Sequence, residues 1–158
     1  SEPGVGSTFQ ILLPKVTTEK RTEAPLLEQS LTGKERVLFI DDEEFLVEWG
    51  QALLERMGYE VTAMNDSTEA LETFSSDPSR FDLVITDQTM PRITGLNLAR
   101  ELLKIRPDIP VILCTGHSES ITLDKLKEAG VREFLMKPLA KKDLTEVIRR
   151  VLDLETKK

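Results

Sequence analysis

Residues 83–91 read LVITDQTMP, an apolar run that ends at a carboxylate and continues into a loop. The run of aliphatic residues closed by a Thr, at 83–86, is typical of a buried strand. Asp87 follows directly, and residues 88–95 contain the Thr, Pro and Gly that mark a loop. The segment therefore predicts a buried strand that presents Asp87 at its carboxyl end.

The same alternation of a short apolar run and an amphipathic helical stretch occurs on both sides of this segment. Gly58, Pro107 and Gly130 stand where helices are expected to end. Asp66 and Glu69 have the spacing of a capping box at the start of the second helix. The predicted strands are 37–40, 60–64, 83–86, 111–115 and 131–136, and the predicted helices are 45–57, 66–74, 96–105, 121–129 and 144–154.

Strict alternation of strands and helices predicts an α/β fold in which right-handed crossovers cover both faces of a parallel sheet. The 158 residues leave room for one domain of ordinary size. In open sheets of this kind, ligands bind outside the carboxyl ends of the strands. Functional residues are therefore expected at the strand ends.

The composition excludes several classes of partner. The chain has 28 Asp and Glu against 21 Lys and Arg, a formal net charge of -7, which would repel nucleic acid and anionic membranes. Its apolar runs are far shorter than the roughly 20 residues that cross a bilayer. Cys114 is the only cysteine, so no internal disulfide can form, and its apolar neighbours favour a reducing compartment. We therefore expect a cytoplasmic domain with no nucleic-acid partner and no direct membrane contact.

Charged and hydroxyl side chains follow or end four of the predicted strands. Because the carboxyl ends of parallel strands share one edge, these side chains are expected to lie close together. Three carboxylates in one place repel one another unless they share a cation, and an all-oxygen ligand set suits Mg²⁺. A carboxylate beside Mg²⁺ and a lysine can attack phosphorus, which would give a labile acyl phosphate on Asp87. The residues concerned are Asp41, Asp42, Asp87, Thr115 and Lys137.

Four motifs in this order resemble the receiver (response-regulator) domain of two-component signalling. The resemblance covers residues 35–154, and it is specific because each motif ends at a successive predicted strand end. It implies a flavodoxin-like, doubly wound (βα)5 fold whose five parallel strands have the order 2-1-3-4-5. The motifs are RVLFIDDEE at 36–44, DLVITDQTMP at 82–91 with Gly95, VILCTG at 111–116 and FLMKP at 134–138.

The resemblance implies a role for each residue at the strand ends. Asp87 would accept the phosphoryl group, Thr115 would hydrogen-bond to it, and Lys137 would pair with it. The peptide bond between Lys137 and Pro138 is expected in the cis form. The implied Mg²⁺ ligands are Asp41 (through water), Asp42, Asp87 and the backbone carbonyl of Thr89.

The resemblance also implies a switch and two tuning positions. Phe134 would be the switch aromatic coupled to Thr115, although tyrosine is frequent there and Phe lacks the hydroxyl. Thr89 and His117 would flank the acceptor and tune the rate of self-catalysed dephosphorylation. Gly116 stands where alanine is usual. None of these departures removes a group that phosphorylation requires.

The first residues, SEPGVGSTFQILLP at 1–14, resemble the last hairpin of a histidine-kinase ATP-binding domain. Residues 15–34 mix charges of both signs with Thr, Pro and Gly and are predicted to be a linker, and 155–158 a short tail. This hairpin and a first residue other than Met together predict that the chain is a piece of a hybrid sensor histidine kinase. The parent kinase could be anchored in a membrane. The expected partners are a histidine kinase phosphodonor, in cis or in trans, and a histidine phosphotransfer protein.

Other functions stay open at this point. The domain could be a stand-alone response regulator or a pseudo-receiver that is never phosphorylated. An aspartyl-nucleophile phosphatase would carry its nucleophile directly after the first strand, with a second Asp two residues later, and Glu43 stands at that second position. A flavin carrier would bind phosphate after the first strand, where the acidic residues 41–44 would repel it. Whether the fragment is itself an enzyme is also open. It would accept a phosphoryl group and catalyse its own dephosphorylation, whereas the kinase activity would belong to the parent chain, a histidine protein kinase.

Overall fold

The computed structural model describes residues 33–116 and 123–155 of the chain. The hairpin predicted at 1–14, all but the end of the predicted linker, His117 and residues 156–158 lie outside the described residues. Within the described part, no helix combines the length and apolar character needed to cross a membrane.

The described residues form one parallel sheet of five strands in the order β2-β1-β3-β4-β5, and helices connect the strands. The predicted fold class and strand order are therefore confirmed. The elements are β1 Arg36–Ile40, α1 Glu44–Arg56, β2 Glu60–Met64, α2 Ser67–Ser76, β3 Leu83–Asp87, α3 Gly95–Ile105, β4 Val111–Thr115, α4 Leu123–Glu128, β5 Glu133–Met136 and α5 Lys141–Glu155, with a short 3-10 helix at Pro78–Arg80.

Side chains of the central strands alternate between two apolar cores, one on each face of the sheet. In β1, Leu38 and Ile40 belong to the core that also contains residues of α2, α3 and α4. Val37 and Phe39 belong to the core that contains residues of α1 and α5. Because both faces of β1, β3 and β4 are covered, these strands are apolar along almost their whole length, as the sequence predicted.

Some element ends differ from the prediction. β3 extends to Asp87, so the carboxylate is the last strand residue rather than the first loop residue. β5 starts at Glu133, two residues late, because the amide of Val131 donates to the Leu126 carbonyl at the end of α4. Gly130 makes that reversal with φ of 76°, a backbone conformation that glycine adopts at little cost.

The apolar stripe predicted on α1 is narrower than the sequence suggests. Leu54 is buried in the core, but the Phe45 side chain is 74% exposed. Phe45 instead lines an open groove at the carboxyl edge of the sheet, together with Trp49 and Pro138. Helical periodicity identified the apolar residues of α1 but not which of them contact the sheet.

At the opposite edge of the sheet, Arg36 and Asp82 join the starts of β1 and β3. The guanidinium donates to both carboxylate oxygens at 2.8 and 2.9 Å, and the Arg36 amide donates to the same carboxylate at 2.8 Å. Hydrogen bonds from Arg36 lower the pKa of Asp82. Because the folded pKa lies below the ordinary value of about 3.9, the stabilisation is present above that pH and is lost as the pH falls below it.

We therefore expect Asp82→Asn to lower the free energy of unfolding at pH 7, with a deficit that shrinks as the pH falls below about 4. Urea unfolding of both proteins between pH 7 and 3 measures this difference. Glu72→Gln, at an exposed carboxylate on α2, controls for the loss of one negative charge. A deficit that is independent of pH would contradict an ionic origin.

Candidate functional site

The strand register brings the predicted site residues together at one edge. Ile40 of β1 lies opposite Thr86 of β3, so Asp41, which follows, is next to Asp87. Asp87 in turn lies opposite Cys114 of β4. The site is therefore a direct consequence of parallel pairing between strands that all end at the same level.

Lys137 links the two buried carboxylates. Its Nζ atom lies 2.8 Å from Asp41 Oδ2 and 2.5 Å from Asp87 Oδ1. The Lys137 amide donates to the Thr115 carbonyl at 2.8 Å, which fixes the start of the lysine beside the end of β4. The peptide bond between Lys137 and Pro138 is cis, as the sequence predicted.

Burial and ion pairing act in opposite directions on the pKa values of Asp41 and Lys137. Burial alone would lower the pKa of Lys137, but its hydrogen bonds to Asp41 and Asp87 outweigh burial, so the pKa is raised and the ammonium is retained. Burial raises the pKa of Asp41, and Lys137 offsets this only in part. Two carboxylates that are nearly inaccessible to solvent thus share one ammonium, and a further cation would relieve the excess negative charge.

The oxygen donors at this edge fit Mg²⁺. The second oxygen of each carboxylate accepts one backbone hydrogen bond, at Asp41 from the Glu43 amide (3.1 Å) and at Asp87 from the Thr89 amide (2.6 Å), which leaves lone pairs available. Asp42 and Thr89 are exposed at the same edge. In the part of the chain that the structure describes, no three Asp, Glu, His or Cys side chains form a ready-made ligand group. Asp41 and Asp87 supply two carboxylates, and Mg²⁺, which keeps several of its waters, is usually held by only one or two.

The remaining predicted residues have different surroundings. Thr115 is 6% exposed, and its hydroxyl donates to the Gly116 carbonyl at 3.4 Å. Phe134 is on β5, where it lies opposite Leu113 of β4, and its side chain is 36% exposed. His117 lies outside the described residues, so its predicted tuning role stays a prediction.

Gln88, a residue to which sequence reasoning assigned no role, supports the loop after Asp87. The Gln88 carboxamide accepts a hydrogen bond from the Leu96 amide at 3.1 Å, and the Gln88 carbonyl accepts one from Gly95 at 3.0 Å. Both bonds connect the loop to the start of α3. Cys114, next to Asp87, is fully buried, and burial raises the pKa of its thiol to about 12. The thiol is therefore protonated at neutral pH, which excludes it as the nucleophile.

Comparison with known proteins agrees with this geometry. The response regulator receiver domain model matches residues 37–149. The chain is 33% identical over 162 residues to the sensor kinase CckA of Brucella abortus, an alignment that covers 97% of this chain and 17% of that protein. The chain therefore spans about a sixth of the length of that relative.

Solved structures are similar as well. A response regulator receiver domain protein from Clostridium thermocellum is 34% identical with a TM-score of 0.73, and the match covers 77% of this chain and 97% of that one. The receiver domain of the sensor histidine kinase PA1611 from Pseudomonas aeruginosa, which has a magnesium ion coordinated in its active-site cleft, gives a TM-score of 0.67 at 22% identity. That match covers 77% of this chain and 99% of the other, and at this identity it shows a shared fold.

Proposed function

The chain belongs to the response regulator receiver domain family of two-component signalling, and on this basis we propose that Asp87 accepts a phosphoryl group from phosphohistidine in a Mg²⁺-dependent reaction. The observation that carries this proposal is the position of Lys137, whose ammonium lies between Asp41 and Asp87 at the carboxyl edge of the sheet. A carboxylate held in place beside a fixed cation favours phosphoryl transfer, because the reaction depends on a positioned nucleophile and on positive charge near the phosphoryl oxygens.

In the proposed reaction, the P–N bond of phosphohistidine breaks and a P–O bond forms to the Asp87 carboxylate. Asp87 is held in place by Lys137 on one oxygen and by the Thr89 amide on the other. Lys137 and the Thr115 hydroxyl would bind oxygens of the transferred group. Asp41, Asp42, Asp87 and the Thr89 carbonyl would hold Mg²⁺, which neutralises charge on the phosphoryl oxygens.

Phosphorylation would add negative charge at the strand edge and pull the Thr115 hydroxyl toward the new group. Thr115 ends β4, and β5 beside it carries Phe134, which is already partly exposed. We assign Phe134 as the switch residue on this basis. Thr89 and His117 would set the rate of hydrolysis.

The proposed context is a hybrid sensor histidine kinase with its catalytic parts upstream. The alignment with the sensor kinase CckA supports this, because it covers 97% of the chain and therefore extends into the residues before the receiver domain. The donor would then be a phosphohistidine of the same or another kinase molecule, and a histidine phosphotransfer protein would be a further partner. The domain would act in the cytoplasm.

Intact mass spectrometry tests the proposed reaction. After incubation of the 158-residue chain with acetyl phosphate and Mg²⁺, we expect the mass of one phosphoryl group to be gained, and we expect no gain with a chelator. Asp87→Asn should show no gain, since the acceptor oxygen is lost. Asp82→Asn is the matched control, because Asp82 precedes β3 at the opposite edge of the sheet, and it should be phosphorylated normally.

Each other outcome has a defined meaning. Modification of Asp87→Asn would show that the acceptor is a different residue. No gain in the wild type, from acetyl phosphate or from a phosphorylated histidine kinase, would contradict the proposal and favour a pseudo-receiver. Continuous turnover of a phosphate ester would favour the aspartyl-nucleophile phosphatase.

A further inference from the structure

The loop that connects Asp87 to α3 contains a strained three-residue turn. Arg92 adopts a positive φ of 69°, and the Ile93 amide donates to the Pro91 carbonyl at 2.9 Å across it. An L-residue with a large side chain rarely adopts this conformation, whereas glycine does so readily. The presence of arginine here therefore needs an explanation from its side chain.

The Arg92 side chain reaches the start of α2. Its guanidinium lies 2.6 Å from Asp66 Oδ2. The other oxygen of Asp66 accepts hydrogen bonds from the Thr68 and Glu69 amides at 2.8 and 3.2 Å, as the capping spacing predicted. One carboxylate thus caps α2 and holds the loop at the same time.

A second contact joins the same two segments. The hydroxyl of Ser67, which is 3% exposed, donates to the Pro91 carbonyl at 3.1 Å. Two consecutive residues at the start of α2 therefore bind two consecutive residues of the loop. The Pro91 carbonyl accepts from both Ser67 and Ile93, so the turn is held on two sides.

The contacts lie close to the phosphorylation site along the chain. Thr89, whose amide binds Asp87 Oδ2, is separated from Pro91 only by Met90, which is 5% exposed and packed in the core. The position of Pro91 therefore limits where the Thr89 carbonyl can lie. Surface ion pairs contribute little to global stability, and Arg92 is 65% exposed, so the effect expected here is local order rather than stability of the whole fold.

From these contacts we propose that Asp66, Ser67 and Arg92 are positioning residues, which hold the loop after β3 so that the Thr89 carbonyl and the Asp87 carboxylate stay in place for Mg²⁺ and the phosphoryl group. This inference rests on the proposed function for its metal and acceptor. None of the three residues touches the reacting atoms.

Arg92→Gly gives the sharpest test, because it relieves the strained φ and removes the ion pair at once. If Arg92 were only a tolerated surface residue, glycine would leave Mg²⁺ binding unchanged or improve it. We expect instead that Mg²⁺ binds about tenfold more weakly, the lower end of the range that is typical when a residue supporting a metal site is removed. Isothermal titration calorimetry of the 158-residue chain measures this change.

Asp66→Asn should weaken Mg²⁺ binding to a similar degree, since asparagine still caps α2 but no longer pairs with arginine. The double variant Asp66→Asn, Arg92→Gly should bind Mg²⁺ no more weakly than either single variant, because both substitutions remove the same contact. Asp77→Asn, at the cap of the 3-10 helix, is the matched control and should bind Mg²⁺ like the wild type. Additive losses in the double variant would overturn the inference.

Hydrogen exchange without Mg²⁺ gives a readout that does not depend on the proposed function. Amides in residues 88–96 should exchange faster in Arg92→Gly than in the wild type, while amides of β1 and β4 should not change. If the wild type binds no Mg²⁺, the proposed function fails, and faster exchange would still support the positioning role. Unchanged exchange together with unchanged Mg²⁺ affinity in Arg92→Gly would overturn the inference.

Discussion

Gly95→Ala should lower the free energy of unfolding by about 2 to 3 kcal/mol and abolish Mg²⁺ binding. A Cβ atom at Gly95 would clash with the Asp87 carbonyl oxygen, and it would lie 2.9 Å from the Asp87 carbonyl carbon and 2.7 Å from a methyl group of Leu113. Backbone atoms cannot move aside as the end of a flexible side chain can. The strand end that carries Asp87 must therefore shift, so the substitution should reduce both the free energy of unfolding and the binding of Mg²⁺.

The direction of the stability change distinguishes a steric clash from helix propensity, because Gly95 is the first residue of α3. Helix propensity alone would make alanine more favourable than glycine by up to about 1 kcal/mol in a helix interior. Gly116→Ala is the matched control, since a Cβ atom there would meet no atom of the described residues within 4 Å. Urea unfolding and calorimetric titration with Mg²⁺ should separate the two variants, and a stable Gly95→Ala protein that binds Mg²⁺ would contradict the close approach.

The sequence predicted the fold well where a local pattern carried the information. The strands at 60–64 and 111–115 match residue for residue, because apolar runs bounded by turn residues allow few other arrangements. Asp41 and Asp87 also meet as expected, since parallel strands that end at one level bring their following residues together.

Contacts between charged residues that are far apart in the sequence were not predictable in this way. Asp66 was identified as a helix cap from its spacing, but its second oxygen binds Arg92, 26 residues later, through a loop whose shape no local pattern specifies. Arg36 and Asp82 likewise meet only because β1 and β3 are neighbours in the sheet. Sequence periodicity gives the face of an element but not the partner of a particular charged atom.

Lys137→Met should lower the free energy of unfolding by about 2 to 4 kcal/mol in the absence of Mg²⁺ and prevent efficient phosphorylation. Methionine retains most of the length of lysine but leaves Asp41 and Asp87 buried without their shared cation. Removing one partner of a buried ion pair costs about 3 to 5 kcal/mol, and the 21% exposure of the Lys137 side chain reduces that range somewhat. Lys142→Met is the matched control, because its ion pair with Glu146 is exposed and 3.8 Å long, and its loss should change little.

Mg²⁺ should stabilise Lys137→Met more than it stabilises the wild type, because the ion no longer meets the repulsion of the ammonium and the uncompensated carboxylates attract it more strongly. Thermal unfolding with and without Mg²⁺ measures this difference. The expected combination is tighter Mg²⁺ binding with poorer phosphoryl transfer. Weaker Mg²⁺ binding in Lys137→Met would instead mean that the lysine holds the carboxylates in the geometry that the ion needs.

The deficit of Lys137→Met should also shrink as the pH falls from 7 toward 5. Burial already raises the pKa of Asp41, and loss of Lys137 removes an interaction that offsets burial. When the folded pKa of a carboxyl group lies above its unfolded value, the folded state takes up the proton first, so acidification through that interval stabilises the fold. The raised pKa of Lys137 keeps the wild-type ammonium charged throughout this range, so the wild type should change less, and urea unfolding of both proteins at pH 7 and pH 5 would show whether the gap between them narrows.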